Sequence, residues 1–210
     1  MPILASEILV AVRGNADNVL VGSILGLEAL GIYYFAYNAG YGLSSVLTNA
    51  LQAVSFRHLA DPKKSMAKLV ERFDHALLWL ALPISGVIVL QSLAVPIYVP
   101  LLFGEKWQPV VLIVSILCVS AATRPCFDLA AQMMRAAGQQ DREFVASCAF
   151  TFVMLATFAA ALPFGLLTGV VVLCIGTVIM QFVFAFWARR LVVARLAAPT
   201  VNAVNALDCD

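Results

Sequence analysis

Two arginines of this chain lie inside long apolar stretches, and each has an aspartate four residues further on. Arg13 precedes Asp17, and Arg124 precedes Asp128. Residues four apart share one face of an α-helix, so each aspartate can neutralise its arginine in a buried ion pair that holds helices together. Alternatively, the two pairs form a cationic, hydrogen-bonding lining for a polar, anionic cargo. The spacing allows both interpretations.

The residues around Arg124 predict a helix with one polar face. Ser120, Arg124, Asp128 and Gln132 recur every four residues, and Arg135 follows three later. An arginine in the middle of hydrocarbon costs about 2.5 to 3.5 kcal/mol even on the gentlest insertion scale. We therefore expect this face to border other protein segments or a water-filled cavity.

Pro125 directly follows Arg124 and cannot donate a backbone hydrogen bond to Ala121, so a kink is expected beside the charge. Near Arg13, two asparagines add amide groups at a similar depth. The predicted substrate-binding residues are Arg13, Asn15, Asp17, Asn18, Arg124, Asp128 and Gln132. No catalytic residue, metal site or cofactor is predicted. Further polar residues can line the same cavity or join helices: Thr48, Asn49, Gln52, Gln91 and Gln181.

Six apolar runs position these residues. The chain of 210 residues is 62% hydrophobic and 12% charged, and its mean hydropathy is +0.95, which is typical of membrane proteins. Each run has the roughly 20 residues needed to cross a bilayer. The sequence predicts an all-α, polytopic membrane protein in which residues 1–196 form one bundle of six transmembrane helices and 197–210 a C-terminal tail. The approximate spans are 6–25, 30–56, 76–95, 110–134, 144–163 and 166–187.

The basic residues predict an orientation in the membrane. Ten of the 13 Lys and Arg residues lie in the segments that follow the second, fourth and sixth apolar runs, whereas Lys106 alone lies in the loops that follow the other runs. Cytoplasmic loops are richer in Lys and Arg, so both ends of the bundle are expected in the cytoplasm. The ten are Arg57, Lys63, Lys64, Lys68, Arg72, Arg135, Arg142, Arg189, Arg190 and Arg195. No basic cluster with interleaved aromatics suggests nucleic acid, and membrane lipids are the expected surroundings.

Two surface features are also predicted. A cluster of tyrosines follows a tight turn, and we expect it at the level of the outer headgroups: Tyr33, Tyr34, Tyr37 and Tyr41. Asp61-Pro62 predicts the start of a short helix along the inner surface, with Leu69 and Phe73 on its apolar face.

The cysteines and histidines do not favour an enzyme. Four of the five cysteines lie in apolar runs and none has Cys-x-x-Cys or Cys/His ligand spacing, so we interpret them as small core residues. His58 and His75 lie at helix ends, and neither has an evident Ser or Cys partner for acid-base or nucleophilic catalysis.

Three segments carry a resemblance to a known family. They are the stretch RGNADNVLVGSILG from Arg13, continued by Leu30-Gly-Ile-Tyr33 and Ala36; Leu102-Phe-Gly-Glu-Lys-Trp107 with Pro109; and the helix with Arg124-Pro125 that ends at Ala137-Gly138-Gln139. Nearly the whole chain resembles the second half of bacterial polysaccharide-transport proteins, the oligosaccharide flippases, which are similar to multidrug extruders.

The resemblance implies a membrane transporter without enzymatic activity. Its cargo would be an oligosaccharide linked through pyrophosphate to a polyprenyl carrier, moved across the bacterial cytoplasmic (inner) membrane for lipopolysaccharide O-antigen or exopolysaccharide biosynthesis. Arg13 and Arg124 would contact the pyrophosphate, since guanidinium groups suit phosphate oxygens. Family members have two pseudo-symmetric six-helix bundles around a central cavity, so this single bundle is expected to need a second half or self-association.

Other functions compete with this one. A multidrug or cation antiporter of the related extruder type is the nearest alternative, although it favours acidic over basic cavity residues. An intramembrane glycan ligase or acyltransferase is disfavoured because neither histidine has an evident Ser or Cys partner. The third alternative is an inactive fragment of a longer transporter.

Overall fold

A computed structural model describes the backbone of residues 2–59 and 67–197. The side chains of residues 2–13, 43, 54–59, 67 and 195–197 lie outside this description. Within it the chain is helical throughout, which confirms the predicted all-α class. The α-helices are α1 Pro2–Leu25, α2 Leu27–Leu59, α3 Ala67–Ala76, α4 Leu82–Phe103, α5 Val111–Ala121, α6 Arg124–Ala136, α7 Gln140–Ala161 and α8 Leu166–Ala197.

Four helical stretches in the described part are long and apolar enough to cross a membrane, which supports a membrane protein. Each exceeds the length of about 20 residues that a bilayer requires, and their mean hydropathies run from 2.0 to 2.4. They comprise Lys68–Phe103, Glu105–Ala136, Gln140–Phe164 and Leu166–Ala194.

Several of these stretches contain a change of helix type. A π-helical turn at Leu77–Ala81 joins α3 to α4, just before Pro83, which lacks the N–H that a regular turn would need. A 3₁₀ segment, Glu105–Val110, leads into α5 after Gly104, whose φ of 89° ends α4. At both places the chain changes direction while it stays helical on either side.

The helix that carries Arg124 is interrupted where the kink was predicted. α5 ends at Ala121, where the Ala122 N–H bonds to the Val119 carbonyl at 3.2 Å. α6 starts at Arg124, with Pro125 in its first turn. Proline is tolerated in the first turn of a helix because that N–H has no intrahelical acceptor. The expected kink is therefore confirmed, as a short break between two helices.

Tyr33 lies in the protein core, whereas its level at the outer headgroups stays a prediction. This residue is fully buried, and its ring lies 6.0 Å from that of Phe158 on α7. Because α2 turns this face toward α1 and α7, the side chain occupies the core instead of the membrane surface. Leu69 and Phe73 of α3 are also buried, in a core cluster with α6 and α8. The start of that helix, Asp61-Pro62, lies outside the described residues.

Gly40 lies where α2 packs tightly against α5. A Cβ at this position would lie 3.3 Å from the Val114 carbonyl oxygen and 3.3 Å from Cys118 Sγ. The Gly40 carbonyl accepts bonds from Gln91 Nε2 at 3.3 Å and Cys118 Sγ at 3.5 Å, so side chains of α4 and α5 meet there. Small residues at such crossings permit backbone contact in membrane proteins.

We expect Gly40→Val to lower the stability of the solubilised protein by about 2 kcal/mol, because the Val114 backbone cannot yield to the added methyl groups. Thermal unfolding in detergent measures this. Gly42→Val is the matched control on the same helix, since a Cβ there meets no atom within 4 Å. Equal losses in both variants would contradict the packing argument.

Candidate functional site: a polar cavity between six helices

A cavity of about 400 Å³ lies among α1, α2, α5, α6, α7 and α8. Charged, amide and hydroxyl groups are carried by 15 of its 23 lining residues, although the chain is 62% hydrophobic. Charged and amide side chains on the wall are Asp17, Asn49, Gln52, Arg124, Asp128, Gln132, Arg135, Glu143 and Gln181. Hydroxyl groups come from Tyr37, Tyr41, Ser120, Ser147, Thr151 and Thr177.

Arg124 and Asp128 form the predicted ion pair on the cavity wall. The distance from Arg124 Nε to Asp128 Oδ2 is 3.6 Å, which is an ion pair without the short distance of a hydrogen bond. The Arg124 side chain is 34% exposed and that of Asp128 is 13% exposed. Arg124 is therefore neutralised by Asp128 and lines the cavity at the same time, because the paired arginine still faces the open space.

Gln132 lies one turn beyond Asp128 on the same wall. Its Nε2 donates to the Gln52 carbonyl on α2 at 3.4 Å. Its Oε1 is buried and accepts no hydrogen bond from any residue in the described part of the chain. A buried amide oxygen without a donor is costly, so this atom is a ready acceptor for a hydroxyl or a water in the cavity.

Asp17 is the acidic residue of α1 that reaches the cavity. It is buried, and its Oδ2 accepts a 2.7 Å hydrogen bond from the Tyr33 hydroxyl. The predicted partner, Arg13, lies in α1 with its side chain outside the described residues. Asn15 is exposed and Asn18 is half-buried, and the cavity wall as described includes neither of these two residues.

Four of the five other polar residues take one of the two predicted roles. Asn49, Gln52 and Gln181 line the cavity. Gln91 of α4 joins helices through its bond to the Gly40 carbonyl of α2. Thr48 does neither, because its hydroxyl donates to the Ser44 carbonyl of its own helix at 2.8 Å.

Sequence reasoning missed an ion pair at the end of the cavity near the α6–α7 turn. Arg135 donates two hydrogen bonds to Glu143, from Nε to Oε2 and from Nη2 to Oε1, both at 3.2 Å. The Ser147 hydroxyl donates to Glu143 Oε1 at 3.3 Å. The sequence placed Arg135 at the end of the polar face and in a cytoplasmic loop, without a partner. Residues eight apart in one continuous helix are about 12 Å apart along its axis, so the turn at Gly138 is needed to bring Arg135 and Glu143 together.

Two tyrosines of α2 also reach the wall. The rings of Tyr37 and Tyr41 stack with centroids 4.9 Å apart, and the Tyr41 hydroxyl lies 3.4 Å from Ser120 Oγ. The sequence predicted both at the outer headgroups. Their spacing of four residues was the available signal that they share a helix face.

The family model described as "Polysaccharide biosynthesis protein" matches residues 1–112. The chain belongs to this family. The match covers α1 through α4 and includes Asp17, so of the six helices that build the cavity it contains α1, α2 and the first two residues of α5.

Two curated relatives share the similarity over most of the chain. The teichuronic acid biosynthesis protein TuaB of Bacillus subtilis (strain 168) is 26% identical over 90% of this chain and 39% of the relative. The lipopolysaccharide biosynthesis protein WzxC of Escherichia coli (strain K12) is 23% identical over 85% of this chain and 36% of the relative. The chain thus spans less than two fifths of the length of either. No solved structure matches the chain.

We expect Tyr33→Phe to lower stability by about 1 kcal/mol, because Asp17 loses a buried donor. Thermal unfolding in detergent measures this. Tyr34→Phe is the matched control, since Tyr34 is 59% exposed on the same helix. A Tyr33→Phe variant as stable as the control would show that the hydrogen bond does not contribute to folding.

Proposed function

We propose that this chain is part of a multi-pass transporter that moves a lipid-linked oligosaccharide or polysaccharide precursor across the bacterial cytoplasmic membrane. Such a transporter would serve the biosynthesis of a cell-surface polysaccharide and perform no chemical step on its cargo. The observation that carries the proposal is the polar cavity with Arg124 on its wall, inside helices that are otherwise apolar. Membership of the polysaccharide biosynthesis family and the names of both relatives support the class of cargo.

The chemistry of the cavity suits a sugar joined to pyrophosphate. Such a group cannot enter hydrocarbon unaided, because its charges and hydroxyls would lose their water. Arg124 can donate to phosphate oxygens with the guanidinium N–H groups that face the cavity. The amides of Asn49, Gln52 and Gln132 can replace water around sugar hydroxyls.

We propose six crossings in this chain. The four apolar stretches supply crossings three to six, and α1 and α2 supply the first two. With six crossings, the basic residues of the α2–α3 connection, the α6–α7 turn and the end of α8 all fall on the cytoplasmic side, as does each end of the bundle. Lys106, in the 3₁₀ segment after α4, lies on the outer side.

A second bundle is part of the proposal. Arg124 is one-third exposed and Asn49 is exposed, although both lie in helices that would cross the membrane. Polar groups at that depth need protein or water beside them, not lipid. The relatives are more than twice as long as the matched segment, which leaves room for a second six-helix half; self-association would cover the same surface.

We expect Arg124→Gln to reduce export of surface polysaccharide at least tenfold, because the cavity loses its central cation for the pyrophosphate. Export is measured as surface polysaccharide in cells that depend on this protein. Arg189→Gln is the control: Arg189 forms an exposed ion pair with Asp74 and is absent from the described cavity wall. Normal export with Arg124→Gln at wild-type protein levels would refute the cationic cavity.

The topology has its own test. A single cysteine at position 106, in a variant without native cysteines, should react with a membrane-impermeant maleimide in intact cells. A single cysteine at position 142 should react only after the membrane is opened. Labelling of position 142 in intact cells would contradict the proposed orientation.

A further inference from the structure

We propose that Arg135 is a second phosphate-binding group, at the end of the cavity beside the α6–α7 turn, and that Glu143 limits its affinity. This site would take the phosphate oxygens of the cargo before they reach Arg124. The inference rests on the proposed transport function and adds a binding step to it.

The first observation is the geometry of the pair. Glu143 occupies two of the five N–H donors of Arg135 at 3.2 Å and receives a third donor from Ser147. The Glu143 side chain is only 8% exposed, whereas that of Arg135 is 44% exposed. The carboxylate is therefore fixed within the protein, while the arginine lines the cavity and keeps three N–H donors outside this pair.

The second observation is the position of Arg135 relative to Arg124. They are 11 residues apart in α6, which is three helical turns plus about 20°, so both lie on one face of that helix roughly 16 Å apart. Asp128 and Gln132 lie between them on the same wall of the same cavity. The cavity therefore has a guanidinium group at each end of one helical face.

The two ion pairs differ in how closely the carboxylate holds the arginine, and this difference sets which arginine binds an anion more strongly. Arg135 is held by two hydrogen bonds at 3.2 Å, but Arg124 approaches its aspartate at 3.6 Å. An incoming anion must compete with Glu143 for the donors of Arg135, whereas the donors of Arg124 are less committed. The anion therefore binds more weakly near the turn and more strongly deeper in the cavity, which favours its movement toward Arg124.

The test compares the two partners of one ion pair. The dissociation constant for inorganic pyrophosphate is measured by calorimetry on the full-length protein in nanodiscs of phosphatidylcholine. Arg135→Gln should weaken binding about tenfold, and Glu143→Gln should strengthen it about tenfold because a nearby negative charge is removed. An ion pair with a purely structural role predicts the same direction for both variants, so changes in the same direction, or no change in either, overturn the proposal.

Asp74→Asn and Arg189→Gln are the matched controls, since that pair is also bidentate but lies away from the described cavity wall. Both should leave pyrophosphate binding unchanged. If Arg135→Gln does not fold, Glu143→Gln decides alone: tighter binding supports the site, and unchanged or weaker binding overturns it.

Nanodiscs that contain phosphatidylglycerol separate cargo from lipid. If the anionic headgroup abolishes the Glu143→Gln effect, Arg135 is a lipid site and the cargo assignment is overturned; a persistent effect supports it. Export assays separate this inference from the proposed function. Lost export in Arg124→Gln with unchanged pyrophosphate binding in both Arg135→Gln and Glu143→Gln would overturn only the second site.

Discussion

Charged groups among apolar helices must find their partners inside the protein, and most of this fold follows from that constraint. In hydrocarbon no water is present to solvate an unpaired arginine or aspartate side chain. Arg124 is paired with Asp128, Asp17 with the Tyr33 hydroxyl, and Glu143 with Arg135. All three acidic groups also face one cavity. The helices thus enclose one polar cavity beside their buried apolar clusters, and other apolar side chains face the outside.

The break between α5 and α6 places the central charge. Because α5 ends before Pro125, the next helix begins anew at Arg124, and the Thr123 hydroxyl can donate to the Ser120 carbonyl at 3.1 Å. Gln181 Oε1 on α8 is the alternative acceptor for this hydroxyl, whose single hydrogen serves one of the two acceptors at a time. The Thr123 side chain thus contacts both the backbone at the break and α8, and the Arg124 guanidinium group projects from the start of α6 at the cavity wall.

The sequence predicts which site residues share one face of a helix better than it predicts which residues of different helices are in contact. A spacing of four residues correctly paired Arg124 with Asp128 and placed Gln132 on the same wall, since helical geometry fixes both. The Tyr33–Asp17 bond joins residues of two helices, and periodicity gives a face without naming the neighbour. Arg135 and Glu143 are separated by a glycine turn, so the sequence placed Arg135 on the polar helix face and among the cytoplasmic basic residues but did not identify its partner. Asn15 and Asn18 lie within two residues of Asp17 in α1, but neither belongs to the described cavity wall.

The clamp between Asp74 and Arg189 has a mechanical consequence. These residues are 115 positions apart, and two hydrogen bonds of 3.0 and 2.9 Å join α3 to the last helix. Leu69 and Phe73 anchor α3 in the same core, so this short amphipathic helix is fixed to α8 by both packing and charge. A tilt of α8 therefore moves α3 together with it. A motion of α8 away from α6 that widens the cavity also displaces α3.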